Sequence, residues 1–278
     1  MTFYLNCWVP SLGHDVYVSE LTMAQFEVLA KYLINDDNDG AEECFNNIIR
    51  ENLKDADIFS KLNRVDKWFI LTYLKCISVS PSILIKAKDV NDNDVTVDLS
   101  IVDILTKISE FKYKFDDTLS IKDFKFKFKI PQSLQSKNTV EDALEFFYMA
   151  DQEINFSQLD TGTRGAFFNN LDNTLKQLLQ SFLALQDQQN ECFLIENKHN
   201  LKNIFNVRFS IFDNTLFAFL KSIYHPYAKS IYIKKYTMIN KVGVTLEEIK
   251  ALTPFELDIY LNILNAENKA LTDKKESL

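Results

Sequence analysis

Glycine and proline supply the backbone geometries from which tight reverse turns are made, and this chain of 278 residues holds only five of each. So few turn formers cannot serve a fold of many short strands, and they predict helices joined by polar Asn/Asp loops. A hydrophobic content of 46%, with 23 phenylalanines, is ample for a well-filled core. That content excludes a disordered chain, and the length fits one large domain or two small ones.

Periodicity places the elements. "YLNCWVPSLGHDVYVSEL" alternates around Pro10 and Gly13 and reads as a hairpin. Thr22 and Gln25 have capping-box spacing, after which Phe26, Leu29, Ala30 and Leu33 recur as one apolar helical stripe. A second helix is expected over 41–53, burying Cys44, Phe45, Ile48 and Ile49. A third, over 65–78, carries Trp68, Phe69, Leu71 and Cys76 and stops ahead of Pro81. From 83 to 131 the period drops to two in "ILIKAK", "DVTVDL", "FKYKF" and "DFKFKFKI", with helix-like "SIVDILTKISEF" among them.

Helical signals return with "VEDALEFFYMA" and with a stretch in which Phe168, Leu171, Leu175, Leu178 and Phe182 share a face. "FNVRFSIF" reads as one more strand, Asp213 as the cap of "NTLFAFLKSIY", and Pro226 as that helix's end. Two T-x-x-E boxes, Thr245 to Glu248 and Thr253 to Glu256, predict two short helices in succession, the second with Pro254 at its first position. The polar "NKALTDKKESL" is expected to fray. The expected fold is therefore α+β, mostly helical, with an N-terminal hairpin and a small antiparallel β-rich insert. Its parts are a hairpin plus helical lobe over 1–80, the insert over 81–135, and a helical lobe over 136–278 that either shares one core with 1–80 or has its own.

The stretch "FKYKFDDTLSIKDFKFKFKI" poses the question of nucleic-acid binding. Residues 111–130 hold six Lys against three Asp, a local +3, which leaves −11 on the remainder of a chain whose net charge is −8. Phosphate binding needs a summed positive field, and a pI near 5.1 opposes it. Along a strand Phe124, Phe126, Phe128 and Ile130 share one face while Lys125, Lys127 and Lys129 share the other. Single-strand binders stack bases on aromatics beside a positive groove, on one surface. An ordinary amphipathic hairpin, its lysines guarding an edge, is the favoured reading. A nucleic-acid accessory protein using Lys125, Lys127 and Lys129, or an acidic protein partner on that face, stand as alternatives.

No catalytic, cofactor or metal site is expected. Cys7, Cys44, Cys76 and Cys192 lie far apart with no C-x-x-C pair, so they read as reduced, mostly buried thiols. His14 and Asp15 near Cys7 have the residue types of a thiol nucleophile and its base, but nothing makes them converge. His199 and His225 lack an i, i+4 partner. "LDTGTRG" lacks the Gly-Lys-Ser/Thr ending of a phosphate loop and reads as the loop before a helix starting near Phe167. The N-terminus lacks the basic start and apolar stretch of a signal peptide, and no run of 18 apolar residues occurs. The expectation is a protein made and kept in a cytoplasm, or in something assembled there.

The order of segments is more specific than any one of them. "CWVPSLGHDVYVSELTMAQFEVLAKYL", "DKWFILTYLKCISVSPSILI", the insert with "VTVDLSIVDILTKI" and "FKFKIPQSL", "IFDNTLFAFLKSIY" and "LEEIKALTPFELDIYLNIL" together resemble baseplate hub proteins of T-even-type contractile-tailed bacteriophages. The chain is longer than the compact members of that family, and the strand insert is expected to account for the excess. The resemblance implies a late virion protein assembled in the host cytoplasm into the tail baseplate, without catalytic centre, cofactor or small-molecule substrate, whose partners are other hub or tail proteins. A transient hub assembly chaperone, absent from the mature particle, is the alternative. Trp8, Pro10 and Leu12 are candidate partner contacts, since an exposed aromatic often anchors an interface; the competing reading packs Trp8 on its own hairpin.

Overall fold

A computed structural model of the chain describes residues 3–110, 115–135, 139–149, 152–189, 192–193 and 208–276. Strands β1 (Leu5–Val9) and β2 (His14–Val18) pair antiparallel, with Val9 opposite His14. Gly13 closes the turn at φ 66°, a left-handed conformation that glycine adopts without strain. Cys7, Val9, Val16 and Val18 face inward. α1 (Met23–Ile34) starts at its capping box, where the Gln25 N–H donates to Thr22 Oγ1 at 3.3 Å and the Thr22 N–H to Gln25 Oε1 at 3.0 Å. α2 (Asn38–Asn52) is capped by Asp37, and the ring of Tyr32 packs on Gly40 in its first turn. A 3₁₀ turn (Ala56–Lys61) leads to α3 (Arg64–Ser78), capped reciprocally by Asn63 and Asp66. α3 is buried nearly all round, as befits a helix whose apolar residues cover several faces.

β3 (Ser82–Lys88) and β4 (Asp94–Ser100) form a separate hairpin, followed by α4 (Ile101–Glu110). Of "FKYKF" only Phe115 lies within the described residues, and it belongs to no strand. β5 (Thr118–Ile121) and β6 (Phe124–Phe128) then open a second sheet. The helix expected over "VEDALEFFYMA" is only α5 (Thr139–Ala143), for the chain turns into β7 (Leu144–Met149) and then β8 (Gln152–Asn155). β7 pairs with β6, setting Phe147 opposite Phe126, and the sheet order is β5-β6-β7-β8. Pairing of aromatic side chains across the ladder overrides a helical local pattern, and the sheet consequently straddles residue 135.

α6 (Thr161–Asn170) begins well ahead of Phe167, because Asp160 accepts from the Thr163 N–H at 2.9 Å and its hydroxyl at 2.6 Å. Leu171 then leaves the helix and α7 (Asn173–Gln189) restarts the register. The stripe expected from Phe168 to Phe182 is interrupted at Leu171 but largely kept: Phe168 is buried, Leu171, Leu175 and Phe182 pack against the core together with the buried Leu179 and Leu183, and Leu178 is exposed. β9 (Cys192–Phe193) and β10 (Arg208–Phe209) make a two-residue antiparallel pair, all that the described residues hold of the strand in "FNVRFSIF". In α8 (Thr215–Thr237) the Thr215 N–H donates to Asp213 Oδ1 at 2.7 Å, and the helix runs through Pro226 instead of ending there. A proline inside a helix costs about 3 kcal/mol, whereas burying one large apolar side chain returns about 1.5–3 kcal/mol. Pro226 is exposed, and Tyr224, Ala228 and Ile231 on either side of it are buried.

A π turn (Met238–Val242) ends at Gly243, φ 77°. α9 (Leu246–Ala251) follows its reciprocal box, and α10 (Pro254–Glu276) follows the second one. α10 is not short: it runs 23 residues and carries the polar tail as helix to Glu276. The result is a mostly helical α+β protein with small antiparallel sheets. One hydrophobic cluster takes residues from the N-terminal hairpin, α1 to α4, the four-stranded sheet and α8 to α10.

A buried polar tie crosses that cluster. Arg64, fully buried, donates from Nε to the Ser133 carbonyl at 2.8 Å and from Nη1 to the carbonyls of Phe212 and Asp213 at 2.9 and 3.0 Å. Lys67 donates to the Gln132 carbonyl at 2.7 Å, while Glu42 accepts from the Leu134 N–H and the Ser133 hydroxyl, each at 2.6 Å. Asp187 accepts from the N–H groups of Ile211 and Phe212 and from the Ser210 hydroxyl. Lys75 is buried too, donating to the carbonyls of Ser80 and Ser82 beneath the Tyr227 ring.

Burial pushes the Lys75 ammonium from its ordinary value near 10.5 down to about 8, with Cys76 and Asp98 pulling weakly the other way. Between those two values the unfolded chain holds a proton that the folded chain has released, so stability contributed by this group rises with pH across the window and is lost as pH falls through about 8. Relative to Lys75→Met, which cannot titrate there, the native chain should gain about 1 kcal/mol of unfolding free energy from pH 7 to pH 9, read by urea unfolding at each pH. A flat difference would contradict the buried position of the ammonium.

Candidate functional site

The hairpin residues singled out from the sequence do not stand free. Trp8 is half-buried, its ring set edge-on to Phe69 of α3 at 5.8 Å, and Leu12 packs against the core. Pro10 is half-buried beside Ser11, whose N–H and hydroxyl donate to Asp66 at 2.9 and 2.6 Å, pinning the hairpin tip to the start of α3. Trp8 thus packs on the neighbouring helix and not on its own hairpin. The side chains that do face outward are Phe3, Tyr4 and Tyr17, with the Lys54 ammonium over both tyrosine rings. Alternation along β2 was the signal for Tyr17: it sits opposite in phase to the buried Val16 and Val18.

The lysine face is built differently from its sequence pattern. Phe126 and Phe128 fill the core as expected, and Lys125, Lys127 and Lys129 lie on the other side. β6, however, is an interior strand, so its lysines guard no edge. Register also brings aromatics to the lysine side: Lys125 is opposite Tyr148, and Lys127 is opposite Phe146. Each ammonium lies 5.6 Å from its partner's ring centre. Lys127 pairs with Glu145 at 3.5 Å and Lys129 donates to the Ser157 hydroxyl at 2.7 Å. Burial and then Glu153, which accepts from its hydroxyl, raise the Tyr148 phenol above its usual range. Lysines and aromatics therefore meet on one surface, but they are occupied by one another and by two carboxylates. A labelled single-stranded DNA should form no salt-sensitive complex with the purified chain. A complex that weakens steeply between about 50 and 200 mM salt, and that disappears in Lys125→Glu/Lys127→Glu, would overturn this.

Among the described residues Cys7 and His14, the types a nucleophile and its base would need, are set apart by burial. Cys7 is fully buried, and burial first, then Asp15, drives its thiol far up from the ordinary range. His14 lies exposed at the turn, with Nδ1 3.0 Å from the Asp15 carbonyl oxygen. His199 is outside the described residues, and "LDTGTRG" forms a helix start, not a phosphate loop. Among the described residues no group of three or more His, Cys, Asp or Glu is placed to hold a metal ion, and no helix is long and apolar enough to cross a membrane.

An apolar groove lies at the C-terminal end. The π turn, α9 with its flanking residues, and α10 line a groove of about 570 Å³ with Met238, Val242, Val244, Ala251, Leu252, Tyr260, Ile263 and Leu264, and with Glu248 and Glu267 as its carboxylates. On α8 and α10 Ile233 and Tyr236 are 70% and 69% exposed, and Phe255, Ile259, Tyr260 and Ile263 about half exposed. Ion pairs fix the framework, Lys234 to Asp258 at 2.6 Å and Lys235 to Glu27 at 2.8 Å. Glu248 is held by the N–H and hydroxyl of Thr245, which lower its carboxyl below the usual range. α10 buries Leu257 but leaves apolar residues on other faces too. A helix as apolar as "FELDIYLNIL" was the readable sign that one buried face would not use them all.

Compared with protein-family models, with curated proteins and with solved structures, the chain matches none.

Proposed function

We propose that this chain is a non-enzymatic structural component of a phage tail baseplate hub, acting through protein–protein interfaces in tail assembly. The observation that carries the interface half of this reading is the apolar groove and its surround between residues 233 and 267. Apolar side chains left open to water favour a partner that covers them, at about 25 cal/mol per Å². The groove stands on helices fixed by two capping boxes and two ion pairs, which suits a surface kept ready for a partner. The assignment to a baseplate hub rests on the order of segments from "CWVPSLGHDVY" to "LTPFELDIYL".

Quantitative mass spectrometry on purified phage particles tests the reading. The expected result is a low, fixed ratio of this chain to the tail-tube subunit. Presence in infected-cell lysate bound to hub proteins, with none in the particle, would replace the structural role by that of a departing assembly chaperone. Absence from both would overturn the reading.

A further inference from the structure

We propose that the C-terminal groove receives an amphipathic α-helix of a different chain, seated lengthwise on α10 with a lysine or arginine meeting Glu267. This rests on the assembly role proposed above and names the chemistry of one partner.

The wall contributed by α10 decides the occupant's shape. Tyr260, Ile263, Leu264 and Glu267 all line the groove, and their spacing of i, i+3, i+4 and i+7 is one face of a helix over two turns. Such a stripe accepts the matching stripe of a second helix. An extended peptide does not fit: its N–H and C=O groups would enter an apolar groove whose walls are helical turns with their own backbone bonds made, leaving them unpaired. A helix brings its backbone bonds with it. On the opposite wall the π turn supplies Met238 and Val242, a distortion often found where a helix serves a site.

Charge decides the polar part. The charged side chains lining the groove, Glu248 and Glu267, are both carboxylates. Glu248 is occupied by Thr245, while Glu267 sits where α10 has left the body, residues 265–269 all being exposed. A cation on the partner, one turn beyond its apolar anchors, answers Glu267.

Benzoylphenylalanine placed at Ile263, at Val242, and at Val90 as an exposed control remote in sequence tests this by photo-crosslinking in the cells where the assembly forms, with the crosslinked peptides sequenced. The expected result is crosslinks from positions 263 and 242, not 90, to one segment of another chain with apolar residues at i, i+3 or i+4 and i+7 and a flanking Lys or Arg. Glu267→Lys should lower the crosslinking yield severalfold, and reversing the partner's charge should restore it. Crosslinks to an extended segment, to a second copy or to lipid, no crosslink from a chain that is retained in the assembly, or an unchanged yield in Glu267→Lys would each overturn the proposal while leaving the assembly role standing. Failure of the chain to enter any assembly would remove both.

Discussion

Burying a guanidinium is costly unless it is hydrogen-bonded, and the arrangement of this protein follows from where Arg64 finds acceptors for Nε and Nη1. All three are backbone carbonyls far away in sequence, at Ser133, Phe212 and Asp213. Hydrogen bonds to a charged group contribute about 1.5–3 kcal/mol each when buried, and four carboxylates, from Asp142, Glu42, Asp213 and Asp187, oppose the downward push of burial on the guanidinium. The tie holds α3 to the end of the strand insert and to the entrance of α8 at once. Glu42, Lys67 and Asp187 secure the same two segments from other sides. The parts that periodicity separates as two lobes and an insert meet at these residues.

The exposed apolar surface is a consequence of how the C-terminal end is punctuated. α8 continues past Pro226 because Ala228 and Ile231 are buried beyond it, and its last turns leave Ile233 and Tyr236 facing water while Met238, just after them, is buried. The left-handed Gly243 and the boxes at Thr245 and Thr253 then fold the chain back on itself. α10 touches α3 and α8 and buries Leu257. Tyr260 and Ile263 are thereby held on a rigid frame without a core to enter, which is the physical basis for reading the groove as an interface.

What could be read from the sequence was what depends on neighbours in the chain. The boxes at Thr22, Thr245 and Thr253 and the stripe from Phe26 to Leu33 are local, and they stand where the pattern puts them. β7 was lost to a helical reading because "LEFFYM" becomes a strand only when β6 offers it an edge. The same loss hid Phe146 and Tyr148 from the lysine face, whose alternation along β6 was otherwise legible. Arg64 gave no signal, since the nearest of its acceptors is 69 residues away. Trp8 was legible as an aromatic of interest, but only α3 makes it a packing residue.

Native-state hydrogen exchange on the full chain tests most directly that the polar tie makes the hairpin, sheet and helices one cooperative body. Amides of α3, of Leu134, and of Ile211 and Phe212 should exchange only through global unfolding, at free energies within about 2 kcal/mol of one another, while those of α10 beyond Leu264 exchange far faster. Exchange at Ile211 and Phe212 through a separate opening, well below the free energy of α3, would contradict the account.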